Sequence, residues 1–444
     1  MRDVFDPAYA ERLDSVAPDE GLKRREFFGR TAKALGIGIG LAATMRPETL
    51  LAEVARRQRQ PLPNPRNIPI DTFVVVMMEN RSFDHFLGWM PKADGRQAGL
   101  IYRDSNGRSF STHPLVGTKA GYQGCGFKQP GHIWNQGRVQ FNDGKCDGFM
   151  LDGSGNDTFA LGYYRKGDLP YLPHLAEAFT TYDRYFSSLL SSTNPNRAYM
   201  HAAQSYGDKN IFRIPGDGAP QSPPDVPGFR FDSTIERHLE RKGLEGLTFY
   251  SDINYAAMWG REGKQRGRPI SRYFTRAAKG RLPALSFVDP QLQSVKELEG
   301  TSNDDHPWSD VRTGENFIHQ VVTAFMESPQ WKRGALFLVF DEWGGFFDHV
   351  RPPSVPDDLR SPDVNEDFGQ TGFRVPAIAV SPYVRRDAVS HTTFSHESIL
   401  ALVCHRFGIK PFTKRLARTN NIGTSFRFRD RPRLKRPDLP RPPH

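Results

Sequence analysis

Ala335-Leu-Phe-Leu-Val-Phe-Asp-Glu-Trp-Gly-Gly-Phe-Phe-Asp-His349 is the stretch on which the fold turns. Its first six residues are apolar without alternation, the pattern of a strand covered on both faces, as in parallel sheets. The acidic pair Asp341-Glu342 stands where such a strand would end, and Gly344-Gly345 allow a sharp turn after it. Four more runs share this form: Phe73 to Met78, Leu247 to Tyr250, Leu285 to Val288 and Val375 to Val380. Helical periodicity falls between them at Gly314 to Ser328 and His396 to Phe407, and more weakly at Tyr171 to Phe179 and Ser233 to Arg241. The alternation predicts a layered α/β/α fold around a central, mostly parallel sheet. Two Gly/Pro/Asp-rich stretches, Pro91 to Asn156 and Ile211 to Arg230, exceed ordinary connections and read as long site-building loops.

The 444 residues carry 60 Lys and Arg against 50 Asp and Glu, an excess that suggests nucleic acid until it is located. Residues 413–444 hold ten basic and two acidic residues, residues 1–60 hold eleven and nine, and the 39 of each sign between them leave the body neutral. The composition therefore gives no support to a basic domain surface for DNA or RNA. No apolar run reaches the ~18 residues of a conventional membrane span.

The chain divides into a leader and linker over 1–60, one folded domain over 61–412, and an Arg/Pro-rich tail over 413–444 that is expected to be disordered. In the leader, Lys23-Arg-Arg-Glu-Phe-Phe28 precedes a weakly apolar, Gly-containing run from Ala34 to Ala43. That is the layout of a Tat-type signal, implying the Tat export machinery as a partner and a periplasmic, cell-envelope or secreted location. The basic tail is then a candidate for peripheral contact with a membrane or envelope polymer. Three cysteines allow at most one disulfide: Cys125 and Cys146 flank one loop and could pair on export, whereas Cys404 lies in an apolar run and reads as a core thiol.

Ligands of open α/β sheets bind beyond the carboxyl ends of the strands, so the residues that follow each run are the candidates for chemistry. Glu79-Asn80 and Asp341-Glu342 each end a run, and Asp289 and Ser251-Asp252 end two others. Carboxylates converging on one edge repel unless a cation lies between them, so Glu79, Asn80, Asp341 and Glu342 form a candidate cage for one divalent ion. Oxygen donors suit Ca²⁺, Mg²⁺ or Mn²⁺, and nearby histidines keep Zn²⁺ and iron open. Helix capping is the competing reading of each acidic pair. Ser191-Ser-Thr-Asn-Pro-Asn-Arg197 places hydroxyls ahead of a helix start near Ala198, where they could serve as a nucleophile beside an anion site or simply cap the helix. His132, His306 and His349 sit beside Gly, Pro or Asp in loops and suit phosphate contact, acid catalysis or ligation, while His201, His319 and His405 lie in helical stretches and read as structural.

Together these residues carry a resemblance. Met78-Glu-Asn-Arg-Ser-Phe-Asp-His85, Thr193-Asn-Pro-Asn-Arg197, Asp305-His-Pro307 and Asp341 to His349 follow one another, from about Thr72 to Phe407, as in the bacterial phosphoesterase family of non-specific phospholipases C and acid phosphatases. That family is similar in fold to alkaline phosphatases and sulfatases. The resemblance implies that 61–412 is a catalytic domain hydrolysing phosphate esters, including phospholipids. It implies Thr193 as a nucleophile that forms a phosphothreonine, one divalent ion held by Glu79, Asn80, Thr193, Asp341 and Glu342, and His132, His306 and His349 around the phosphoryl oxygens. Arg197, in the same motif as Thr193, is read with His132 as a substrate contact, and His306 or His349 as the acid for the leaving alkoxide. Ser191-Ser192 stand where members more often have Gly-Pro, which makes Ser192 a rival nucleophile. The β-rich C-terminal modules of longer phospholipases C are not seen after the last strand-helix unit. Phospholipase C-type diester hydrolysis, acid phosphatase-type monoester hydrolysis and a non-catalytic envelope-binding module all stand at this point.

Overall fold

Every residue from Thr72 to Met78 is buried, as an apolar run without alternation requires. It forms the middle of an eight-stranded sheet in a computed structural model that describes residues 53, 55–210, 230–292, 296 and 299–443. The twin-arginine motif and nearly all of the expected loop from Ile211 to Arg230 lie outside the described residues. In chain order the strands are β1 (Thr72–Met78), β2 (Thr180–Tyr182), β3 (Gly246–Tyr250), β4 (Gly267–Pro269), β5 (Leu285–Asp289), β6 (Gly334–Phe340), β7 (Ala377–Val380) and β8 (Ala388–Ser390). Across the sheet they run β8-β2-β7-β6-β1-β5-β3-β4. Val75 pairs with Phe337 on one side and Phe287 on the other, both in parallel register.

All five expected runs become strands, but the last is shorter and reversed. β7 begins at Ala377, past Pro376, and lies antiparallel to both β6 and β2. The chain leaves β6 at Phe340, spends residues 341–376 beyond the sheet edge, and re-enters from that same edge, so it can only run back. The short strands β2, β4 and β8, three residues each, carry no readable periodicity and are recruited by the open edges of their neighbours.

The helices used below are α1 (Phe83–Leu87), α2 (Leu172–Ala178), α3 (Thr193–Ala202), α4 (Val311–Glu327), α5 (His396–Phe407) and α6 (Lys414–Arg418). Thr72 Oγ1 accepts a hydrogen bond from Gln330 Nε2 just past α4, while the adjacent Phe73 ring meets Phe407 of α5 at 5.9 Å. Successive strand residues point to opposite faces, so α4 and α5 cover opposite sides of the sheet and the layers are α/β/α. Among the described residues no helix is long and apolar enough to cross a membrane.

Two expectations need correcting. The tail is not disordered over the part described: α6 forms, Ile422 and Phe426 are buried, and Gln60 N–H donates to the Thr424 carbonyl at 2.7 Å. Its aromatic residues supply the apolar anchorage that the Arg/Pro composition conceals, since Phe426 stacks on Phe428 and meets Phe337 of β6. Cys125 and Cys146 are not paired; both are free, Cys125 exposed and Cys146 buried.

One buried carboxyl joins two of these helices. Glu315 on α4 accepts hydrogen bonds from the N–H groups of Tyr171 and Leu172 at 2.6 and 2.8 Å, at the start of α2. Burial pushes its carboxyl up from 4.5 to about 7. The unfolded chain therefore releases this proton near pH 4.5 and the folded chain near 7, so the group subtracts stability as pH rises through that interval, by at most about 3 kcal/mol. Glu315→Gln should accordingly gain thermal stability relative to the parent at pH 8 over pH 5, measured as the difference in Tm between the two proteins across that range.

Candidate active site

Three adjacent parallel strands, β6, β1 and β5, deliver acidic residues to one sheet edge: Asp341-Glu342, Glu79-Asn80 and Asp289. All five side chains are buried. The Asp341 N–H continues the ladder by donating to the Met78 carbonyl at 3.0 Å, which locks the two acidic pairs side by side. Burial raises Asp341 well above the ordinary aspartate range, with the charge of Glu79 adding to it, and pushes Glu342 up to about 8. Burial also raises Asp289. Carboxylates gathered this closely away from water are costly unless positive charge balances them.

Part of that balance is Arg197. It is 1% exposed, and its Nη1 lies 2.8 Å from Asp289 Oδ1, its Nε 3.2 Å from Asp341 Oδ2 and its Nη2 3.5 Å from Glu79 Oε1. Nη2 also donates to the Met77 carbonyl, and the guanidinium lies 4.3 Å from the Tyr255 ring centre. The expectation of a substrate contact at Arg197 is therefore not met: every guanidinium nitrogen faces the protein's own acceptors. The cause is helical phase, because α3 starts at Thr193 rather than near Ala198, and residues four apart share a helix face.

The same phase sets Thr193 at the head of α3, where its hydroxyl donates to Glu79 Oε2 at 3.3 Å. It does not cap the helix. The N-cap is Ser192, whose side chain makes no capping bond and whose hydroxyl donates instead to the Asn210 carbonyl at 2.5 Å. Ser192 is thus turned away from the acidic edge.

Two loop histidines complete the group. His132 Nδ1 donates to the Pro130 carbonyl at 2.8 Å, leaving Nε2 3.9 Å from Glu342 Oε1. Its ring centre lies 5.8 Å from that of His306, and burial, then the charge of His306, lower its pKa to about 4. His306 Nδ1 donates to the Pro307 carbonyl at 2.8 Å, and its Nε2 receives Gln129 Nε2 at 2.9 Å. The paired glycines bring these loops together. A Cβ on Gly344 would stand 2.0 Å from the Asn80 carbonyl, one on Gly345 2.4 Å from the Gly131 carbonyl, and both have positive φ.

His349 is not part of this assembly as expected. Its Nδ1 lies 2.5 Å from Asp84 Oδ2 and its Nε2 3.4 Å from Asp94 Oδ1. The Asp-His step that ends the motif turns it toward α1, where Arg374 binds Asp84 and Asp348 at 2.9 Å each. Asp84, Asp348 and His349 have the spacing of a metal triad, yet Arg374 and His349 already supply cations to these carboxylates. The strand-edge set fits a divalent ion better. Among the described residues, Glu342 Oε1, Asp289 Oδ2 and Asn80 Oδ1 are buried without a hydrogen-bond partner, and orphaned oxygens among raised carboxylates are what a hard cation satisfies.

Residues 70–410 match the model of the Phosphoesterase family. The chain belongs to the Phosphoesterase family. It is 32% identical over 408 residues to Non-specific phospholipase C1 of Arabidopsis thaliana, covering 83% of this chain and 73% of that one. It is 26% identical over 507 residues to Phospholipase C B of Mycobacterium tuberculosis, covering 97% and 90%. Among solved structures it is similar to a protein in the alkaline phosphatase superfamily from Vibrio parahaemolyticus, with a TM-score of 0.37 and 8% identity over 91% of this chain and 80% of that one. This phosphoesterase is accordingly a hydrolase of phosphoric esters.

Asp289, Gln129 and His396 complete the site beyond the motif residues. His396 Nε2 donates to the Asp341 carbonyl at 2.8 Å and so holds the acidic turn in place. Asp289 was signalled by its position after a strand; Gln129 and His396 carry no local signal, since each acts through a partner distant in sequence. Removing the central guanidinium by Arg197→Met should leave three buried carboxylates unbalanced and cost about 3–5 kcal/mol, read as a fall in Tm and in urea midpoint.

Proposed function

We propose that this phosphoesterase is an exported, divalent-metal-dependent phosphodiesterase of phospholipase C type that works through Thr193. The observation that carries the reading is the Thr193 hydroxyl, held by Glu79 at the head of α3 above an acidic edge with unsatisfied oxygens. Glu79, Asn80, Asp341 and Glu342, with Thr193 beside them, would hold the cation, which when bound neutralises phosphoryl charge and lowers the pKa of a nearby hydroxyl.

The chain's own groups divide the remaining work. Thr193 Oγ1 gives its proton along the hydrogen bond to Glu79 and attacks phosphorus, so that the Oγ1–P bond forms while the bond to the alcohol oxygen breaks. With the Gln129 amide turned to present its oxygen, His306 Nε2 carries a proton and gives it to the departing alkoxide. His132, held neutral by burial, keeps its Nδ1 proton on the Pro130 carbonyl and orients Nε2 toward Glu342. Water then attacks phosphorus from the opposite side: His306 accepts its proton, the Oγ1–P bond breaks, and Glu79 returns the proton it took to Thr193 Oγ1. Positioned acid-base help of this kind is typically worth ~10²- to 10⁴-fold.

Two observations favour a diester over a monoester. Relatives over most of the chain are named phospholipases C. The guanidinium that could neutralise a monoester's extra charge is engaged by Glu79, Asp289 and Asp341. Export through the Tat route, to the periplasm, envelope or medium, rests on the Arg24-Arg25 motif and the weakly apolar run after it.

Thr193→Ala should lower kcat by ~10³-fold or more with Tm unchanged, whereas Thr193→Ser should keep part of the rate. Full activity in a clean Thr193→Ala preparation would remove this residue from the mechanism. Asp341→Asn, or chelation of the parent protein, should lower bound metal measured by elemental analysis together with the rate; a normal metal content in Asp341→Asn would refute the cage. p-Nitrophenylphosphorylcholine should be hydrolysed in preference to p-nitrophenyl phosphate, and the reverse order would assign a phosphomonoesterase.

A further inference from the structure

The sheet has a second end, opposite the acidic edge, and the ordered tail crosses it. β1, β5 and β6 are parallel, so the residues preceding them lie together at this end, among them Lys332 and Arg333 before β6 and Arg281 before β5. β7 runs the other way, so the segment after it, Ser381 to Arg386, arrives at the same place. Ser381 Oγ donates to the Gly334 carbonyl, Tyr383 Oη to the Lys332 carbonyl, and the Arg385 carbonyl accepts from Thr180 Oγ1 at the start of β2. The tail is tied across these groups by main-chain bonds from Arg427 to the Tyr383 carbonyl and from Arg433 to the Pro382 carbonyl, and by Trp331 Nε1 donating to the Leu434 carbonyl.

The tie gathers charge that is scattered in the sequence. Arg385, Arg386, Arg429 and Arg431 are exposed, and among the described residues none of them forms an ion pair. Arg59, Arg385 and Arg427 line one small cleft. Burial, and then the neighbouring Arg386 charge, lower the pKa of Arg433, which places tail and β7 segment arginines within reach of each other's fields. Arg333 is paired with Asp71 and Arg436 with Glu327, but the four exposed arginines have no such partner among the described residues, and charge left in this way adds nothing to stability and suits a polyanionic surface.

We propose that this basic end is a docking face for an anionic lipid bilayer, and that the docked protein holds its acidic catalytic edge on the far side, away from the bilayer that anchors it. Lipid is favoured over nucleic acid by the side chains that accompany the arginines. Phe426 is buried and the half-buried Phe428 stacks on it, so their paired faces are not free as a platform for bases. Leu434, between Arg433 and Lys435, is 49% exposed, and an apolar side chain rimmed by cations is suited to the headgroup boundary.

The test uses the full chain and the quadruple variant Arg385→Gln/Arg386→Gln/Arg429→Gln/Arg431→Gln, all at exposed positions outside the catalytic group. The parent should sediment with phosphatidylcholine vesicles containing phosphatidylglycerol and be released by salt, but should not sediment with phosphatidylcholine alone. Each arginine removed should weaken binding about fivefold, so the variant should lose vesicle binding by a factor of several hundred while hydrolysing a soluble chromogenic ester at the parent rate. Undiminished binding by the variant would overturn the docking face. Binding to duplex DNA without vesicle binding would overturn the choice of partner. Hydrolysis of lipid in the anchoring vesicle that rises in step with phosphatidylglycerol-dependent binding would overturn the orientation. The soluble-ester assay reports the catalytic assignment separately from all three.

Discussion

A buried guanidinium at the meeting point of three strands is the constraint on which this structure depends. Arg197 reaches Glu79 after β1, Asp289 at the end of β5 and Asp341 after β6, and without it the parallel strands would carry unbalanced charges into the interior. One cation does not balance the whole set. Asp341 and Glu342 remain raised by burial and by the charge of Glu79, and several oxygens stay without partners among the described residues. Arg197 thus leaves carboxyl groups at the sheet edge short of positive charge, which is the electrostatic condition for binding a divalent cation rather than a second guanidinium.

Helical phase connects that constraint to chemistry. Thr193 and Arg197 are separated by four residues in α3, so the placement of one fixes the placement of the other. Arg197 pointing into the sheet edge holds Thr193 at the rim, while Ser192 is turned to the Asn210 carbonyl. The glycine pair at 344–345 performs the matching task from the other side, bringing the main chain after β6 against the Asn80 carbonyl and against the loop that carries His132.

A second charged cluster supports the long excursions around the site. Arg374, fully buried, binds Asp84 and Asp348 and donates to the carbonyls of Asp94 and Asp183, so one side chain joins α1, the loop after it, the segment after β2 and the turn ending in His349. Removing any one partner would strand a buried charge, which makes such a cluster a strong constraint on geometry whatever its net contribution to stability. Charge is also divided along the sheet, with carboxylates at one end and, at the other, exposed arginines such as Arg385, Arg386, Arg429 and Arg431 that form no ion pair among the described residues.

The five apolar runs, the two main helices and the acidic residues after the strands were legible in the sequence because each depends on neighbours within a few residues. So was the family, from motifs that are long and ordered. What required the tertiary structure was direction and partnership. Arg197 could be read as a substrate contact and His349 as a catalytic group until the phase of α3 and the pairing with Asp84 showed otherwise. Gln129 and His396 could not be found locally, nor could the reversal of β7 or the ordering of an Arg-rich tail by Phe426. The physical reason is common to all of them: hydrophobic periodicity records which side of an element is buried, whereas the partner of a buried charge is chosen by whatever other segment the fold carries into hydrogen-bonding distance.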